Sequence, residues 1–163
     1  MKVRAALAGD FAAITEVVGD AFGESRFDEA GIPARIRAEG ATLVELVAED
    51  DGEIVGHVLF SRMRCRPARL IAGLGPLSVR PGRQRQGIGS VLSGEGIEAC
   101  RKLGAAAIVV LGHPSYYPRF GFSATAAAKL QSRYSGLPAF MALALTPGAL
   151  ADPISVDYPP AFG

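Results

Sequence analysis

The stretch Leu74-Gly75-Pro76-Leu77-Ser78-Val79-Arg80-Pro81-Gly82-Arg83-Gln84-Arg85-Gln86-Gly87-Ile88-Gly89-Ser90 decides the architecture. Leu70 to Val79 reads as a strand, and from about Gly87 to Leu103 the apolar residues recur at helical spacing, with Ile88, Val91, Leu92, Ala99 and Leu103 near one face. Arg101 and Lys102 fall in the last turn and Gly104 supplies a left-handed stop. The β-rich run Ala106 to Leu111 follows, which makes a strand, helix, strand unit. A helix start leaves backbone N–H groups without internal partners and carries about half a positive charge, so it suits a phosphate. Gly87 and Gly89 have no side chain to keep a phosphate away, and Ser90 offers a hydroxyl in the first turn.

Arg80, Arg83 and Arg85 gather positive charge here although the whole chain has a formal net charge of only +1. Two phosphate-loop fingerprints fail on the same residues. A P-loop needs Lys and then Ser or Thr after its last glycine, but Gly89 is followed by Ser90 and Val91; a dinucleotide loop needs a third glycine where Leu92 stands. Gly73, Gly75 and Pro76 sit inside the preceding strand, where proline cannot donate to a ladder and glycine weakens one, so a bulge or splayed edge is expected. A strand that parts from its neighbour leaves backbone groups that an extended, amide-bearing ligand such as pantetheine can pair with.

The remaining elements read outward from this unit. Lys2 to Ala5 is a first strand, and Asp10 is placed to cap a helix carrying Phe11, Ile14, Val17 and Val18, ended by Gly19 or Gly23. Phe27 to Glu39, interrupted by Gly31 and Pro33, reads as a loop and then a short helix with Ile32 and Ile36, a kind of segment that often lies over a site. Thr42 to Ala48, a turn over Glu49 to Gly52, and Ile54 to Phe60 form a hairpin. Phe140 to Leu145 is a late strand, and Pro147 to Gly163 a tail on the surface or along a sheet edge. The pattern predicts a mixed α/β sheet in one domain, 1–163, with its core over about 1–146.

Near-neutral charge argues against non-specific binding to nucleic acid or an anionic membrane, and no apolar run approaches the roughly 20 residues of a membrane span. Cys65 and Cys100 form no C-x-x-C pair and sit in apolar patterns, while the N-terminus lacks the layout of a signal peptide, so a cytoplasmic protein with reduced thiols is expected.

At this point the sequence resembles the GCN5-related N-acetyltransferases (GNAT). Gln84, Gly87 and Gly89 fill that family's acetyl-CoA motif in its strand-to-helix setting. Leu111-Gly-His-Pro-Ser-Tyr-Tyr-Pro-Arg-Phe-Gly-Phe122 is similar to a stretch carried by one subgroup of predicted acetyltransferases. The resemblance implies the GNAT fold, a mixed central α/β sheet with a splayed strand pair and flanking helices, and acetyl-CoA as co-substrate without a metal. It further implies that backbone amides of Arg85, Gln86, Gly87, Ile88, Gly89 and Ser90 contact the pyrophosphate, and that main-chain groups of Leu77 and Val79 pair with the pantetheine arm.

Acyl transfer to an amine needs a neutral amine, donors for the oxyanion and a proton for the departing thiolate. Tyr117 lies four residues before Gly121, where family members often carry a general-acid tyrosine; packing in an aromatic cluster with Tyr116, Phe120 and Phe122 is the alternative reading. Tyr116 shares a helical face with Phe120 and is expected to turn to the core, with Arg119 near phosphate or solvent. Many relatives carry a Glu on the strand before the loop, yet Leu74 to Val79 holds no carboxylate. His113 and His57 are the only imidazoles, each a candidate base through water or a structural residue. The reading is direct N-acetyl or short-acyl transfer to a primary amine, with a non-catalytic acyl-CoA-binding or sensing module as the alternative. The amine, in a small molecule, peptide or protein, stays open, as does pairing of two copies through an edge strand or the tail.

Overall fold

The computed structural model describes residues 1–23 and 28–163. The start of the expected loop at Phe27 lies outside the described residues. The strands are β1 (Lys2–Ala5), β2 (Thr42–Asp50), β3 (Glu53–Arg62), β4 (Arg64–Arg66), β5 (Ile71–Val79), β6 (Ala107–Leu111), β7 (Leu130–Gln131), β8 (Phe140–Ala144) and β9 (Ile154–Asp157). The helices are α1 (Phe11–Phe22), α2 (Ile32–Ala38) and α3 (Ile88–Lys102). The main sheet has the order β1-β2-β3-β5-β6-β8, parallel only between β5 and β6, so it is the expected mixed α/β sheet. Among the described residues no helix is long and apolar enough to cross a membrane.

β2 and β3 join through Asp51 and Gly52, both at positive φ, the backbone a two-residue hairpin turn requires. The helices cover opposite faces. α3 packs Ile88, Leu92, Ile97 and Cys100 into a core with Phe60, Ile108 and Met141. On the other face Ile14, Val17 and Val18 of α1 close over Val47 and Ile54. Close approach of α3 depends on absent side chains: a methyl at Gly96 would overlap the Phe60 ring, and one at Gly56 would come within 2.9 Å of Ile88 and Leu92.

β5 and β6 pair only from Ile71–Ala107 to Leu74–Val110. There β5 departs: Gly75 takes φ +147°, open only to glycine, and β3 shifts register between Val58 and Phe60. From Gly75 to Val79 one edge of β5 stays on β3 while the other, among the described residues, has no strand beside it. This is the splayed pair.

Several expectations are corrected. Asp10 precedes α1 without capping it; its carboxylate accepts the Leu7 N–H at 2.7 Å and two bonds from Arg4, because a 3-10 turn over Ala8–Asp10 comes first. Val91 and Leu103 are exposed, since Ser93 and Gly96 turn to the sheet in their place. The core also runs past residue 146. β9, inside the expected tail, is the central strand of a second sheet, β4-β9-β7, and buries Ile154 and Val156 against Met63, Ile71 and Phe140.

Candidate active site

The splayed edge of β5 runs into a 3-10 turn at Pro81–Arg83 and then the loop that opens α3. Gly87 is the residue before the helix, at φ +84°, where any side chain would be strained. The first bond of the helix runs from Val91 N–H to the Gly87 carbonyl at 3.1 Å, leaving the amides of Gly87 to Ser90 without helical partners. They sit at the positive end of a 15-residue helix.

A groove of about 790 Å³ opens there. One wall is the free edge of β5 with Leu77 and Val79, and its floor is the loop from Gln84 to Ser90, apart from Gln86. The far wall is the turn after β6, with His113, Tyr116, Tyr117 and Arg119. Of the site residues named from the sequence, Gln86, Arg80 and His57 do not line this groove; Gln86 is exposed and accepts a hydrogen bond from Arg83 Nε at 3.2 Å. Gln84 Nε2 donates to the Val79 carbonyl at 3.1 Å and so ties the loop to the strand it leaves.

Arg83, Arg85 and Arg119 give the groove its charge, and among the described residues no carboxylate lines it. Arg83 is also held by Asp50 at 2.8 Å, and that guanidinium keeps the Asp50 carboxyl below its usual range. Arg80 is elsewhere. It donates to the Ile54 carbonyl at 2.8 Å and pairs with Asp20 and Glu16 of α1, so the expectation that it adds phosphate charge is corrected.

The aromatic turn departs from the α-helical spacing assumed for it. Tyr117–Phe120 is a 3-10 turn with Pro118 in its first positions and Gly121 left-handed at its end, so Tyr117, not Tyr116, is the deeply buried ring. Tyr117 fits against Gly112, where any side chain would overlap it, and meets Phe122 and Tyr116 edge-on. Burial, then the neighbouring Tyr116, pushes its hydroxyl up to about 12, so it keeps its proton at neutral pH. Tyr116 packs on Phe120, but its hydroxyl reaches 3.2 Å from Ser90 Oγ at the head of α3. No signal in the sequence pairs those two hydroxyls, which come from different elements. Arg119 stacks its guanidinium 4.2 Å above the Tyr116 ring.

The imidazoles separate. His113 is exposed at the groove wall, and its carbonyl accepts the N–H groups of Tyr116 at 3.0 Å and Tyr117 at 3.3 Å. His57 is fully buried on the α1 side of the sheet, bonded through Nε2 to Glu45 Oε1 at 2.9 Å, and does not line the groove. Desolvation lowers its pKa against the opposing pull of Glu45.

A strand edge leading to a helix terminus, facing a protonated tyrosine, is the geometry that the resemblance implies. The sequence model of the Acetyltransferase (GNAT) family matches residues 11–122. The chain belongs to the GNAT acetyltransferase family. Among GNAT relatives, the uncharacterized N-acetyltransferase YjhQ of Escherichia coli K12 is 38% identical over 125 residues, 74% of this chain and 68% of YjhQ. YhbS of the same strain, also an uncharacterized N-acetyltransferase, is 36% identical over 66% of each chain. The crystal structure of Escherichia coli YhbS in complex with CoA superposes with a TM-score of 0.88 at 30% identity, covering 99% of this chain and 91% of that one. A GNAT family acetyltransferase from Brucella melitensis in complex with acetyl-CoA gives 0.83 at 36% identity, covering 99% and 97%. The GNAT fold is thus the fold of this chain.

Proposed function

We propose that this chain moves an acetyl, or similarly short acyl, group from its coenzyme A thioester to a primary amine by direct attack. One observation carries the reading: the unpaired edge of β5 leads straight to the free amides at the head of α3, in a groove that Tyr117 lines. The complexes of YhbS with CoA and of the Brucella protein with acetyl-CoA support the same ligand here.

Amides of Arg85 to Ser90 hold the pyrophosphate, with Arg83, Arg85 and Arg119 adding charge, and main-chain groups of Leu77 and Val79 take the pantetheine amides as a strand would. The amine nitrogen attacks the acyl carbon, a C–N bond forms and the C–S bond breaks. Tyr117 gives its proton to the departing thiolate, and the proton lost by nitrogen passes to water or His113. Among the described residues no carboxylate lines the groove, and water relays or attack by an amine already neutral in solution supply the base in this reading. Reduced thiols and this co-substrate suit the cytoplasm.

That same lack of a carboxylate favours the second reading, a module that binds acyl-CoA without chemistry. Free thiol followed in the presence of acetyl-CoA and an amine panel separates the two. Turnover with at least one amine, above the rate of Tyr117→Phe, is expected of the enzyme. Tight acetyl-CoA binding with no such turnover leaves only the module.

A further inference from the structure

The second sheet ends on a basic edge. Arg62, Arg64, Arg66 and Arg69 fall within eight residues, in a chain whose formal net charge is +1. Met63 and Cys65, which alternate with the first three, pack into the core of that sheet, so the arginines beside them are exposed, as Arg69 is. Arg64 and Arg66 belong to β4, which stands at one end of the order β4-β9-β7. Its inner edge pairs with β9, and among the described residues no strand meets its outer edge.

Among the described residues no carboxylate pairs with these arginines. Arg64 donates to the Tyr158 carbonyl at 3.0 Å and Arg69 to the Ala149 carbonyl at 3.5 Å, bonds that leave the charge in place. Arg62 and Arg66 have no side-chain partner among the described residues. Asp157 stands opposite Arg64 in the register of β4 and β9, yet the two form no ion pair, since the Arg64 guanidinium turns to the carbonyl of the next residue. Arg4, Arg37, Arg80, Arg83 and Arg101, by contrast, each hold a carboxylate.

Edge and charge together select an occupant. A strand edge offers main-chain groups to a further strand, and alternate side chains of an extended peptide recur every ~6.6 Å on one face, the spacing of Arg64 and Arg66. A second copy of this edge would set arginine against arginine, which is unfavourable. Single-stranded nucleic acid is held by charge together with stacking on aromatic rings, and the three strands of this sheet carry no aromatic residue. We propose that the outer edge of β4 docks an extended acidic segment of a partner protein, which adds as a further strand with its carboxylates on Arg64 and Arg66. The site stands apart from the groove: Met63 N–H bonds to the Ile71 carbonyl at 2.9 Å, at the start of β5 and about 20 Å along that strand from Leu77. It therefore does not depend on the acetyl-transfer reading.

The test follows a fluorescein-labelled octapeptide of alternating Glu and Thr by anisotropy, on the full chain at ~0.05 M salt. It is expected to bind about tenfold or more tightly than the same peptide with Gln for Glu, and to weaken as salt is raised. N-methylation of every amide keeps the charge, removes the main-chain donors and is expected to cost about tenfold. Arg66→Gln, which breaks no bond within the protein, is expected to weaken the Glu peptide by about fivefold. Arg64→Glu combined with Arg66→Glu is expected to abolish its binding and to admit the peptide with Lys for Glu, a gain that an unfolded variant cannot show. Equal binding of the Glu and Gln peptides, indifference to N-methylation, or undiminished binding in either variant overturns the proposal. So does tighter binding of a twelve-nucleotide oligouridylate at the same salt, or a wild-type dimer in sedimentation that the double variant loses.

Discussion

The hydroxyls of Ser90 and Tyr116 lie 3.2 Å apart, joining the first turn of α3 to the turn that follows β6. This bond spans the mouth of the groove between two elements that share no backbone pairing. Ser90→Ala and Tyr116→Phe are each expected to lower stability by about 0.5–1.5 kcal/mol, and the double variant by little more than either alone. Urea midpoints of the four proteins measure that coupling. Strict additivity would mean that the two hydroxyls do not bond in solution.

Tyr117 is buried, and burial raises its phenol so that it keeps its proton at neutral pH. Tyr117→Phe keeps the ring and its packing on Gly112 and Phe122, and is expected to lower kcat by ~10²-fold or more while leaving acetyl-CoA affinity within a factor of about two. Initial rates alongside calorimetry separate the two effects. An unchanged kcat would assign the leaving-group proton to another donor.

Gly89 has room for a Cβ, whose nearest neighbours are the Tyr116 hydroxyl at 3.4 Å and the side chains of Val79 and Leu77. A longer side chain must enter the groove. Gly89→Glu is expected to weaken acetyl-CoA binding by about a hundredfold or more, since two like charges 4 Å apart near a protein surface repel by ~4 kcal/mol. Its thermal midpoint should fall by less than ~4 °C, equivalent to about 1 kcal/mol. Wild-type affinity in a folded variant would place the pyrophosphate elsewhere.

His57 and Glu45 make stability depend on pH. Desolvation holds the folded His57 below its ordinary value of 6.5, although Glu45 opposes this; the unfolded chain thus binds a proton near pH 6.5 that the folded chain refuses. Burial acts to raise Glu45, but hydrogen bonds from His57 and from Arg37, at 2.6 and 3.0 Å, outweigh it and keep its pKa below 4.5. Both groups contribute stability above the unfolded pKa and lose it as pH falls. The urea midpoint should therefore decline as pH drops below about 6.5, with a slope of at most ~1.4 kcal/mol per pH unit for the one proton of His57. In His57→Gln that decline should be absent down to about pH 5. A midpoint that stays level in the wild type from pH 7 to 5 would contradict the assignment.

The main strands, the mixed sheet and most residues of the candidate groove were legible because they rest on local signals. Asp51-Gly52 marks a turn, Gly75-Pro76 a disrupted ladder, and Gly87 with Gly89 a helix head open to a phosphate. What escaped depends on residues far apart in the chain. Arg80 read as a phosphate ligand until α1 brought Asp20 and Glu16 to it. Tyr116 and Tyr117 exchanged their expected burial because Pro118 and Gly121 hold the segment in a 3-10 turn, and a reading at 3.6 residues per turn assigns the wrong ring to the core. The second sheet escaped for the same reason, as β4 and β9 are short and pair across a long stretch of chain.

The place of β9 has a consequence for biosynthesis. Every described residue that lines the groove precedes Phe122, whereas β4 finds its partner β9, and Tyr134 its neighbour Tyr158, only after a further thirty to forty residues. A nascent chain halted between these points would carry every described residue of the groove but lack the strand that β4 pairs with. The second sheet is thus the last part of the fold to be completed as the polypeptide leaves the ribosome.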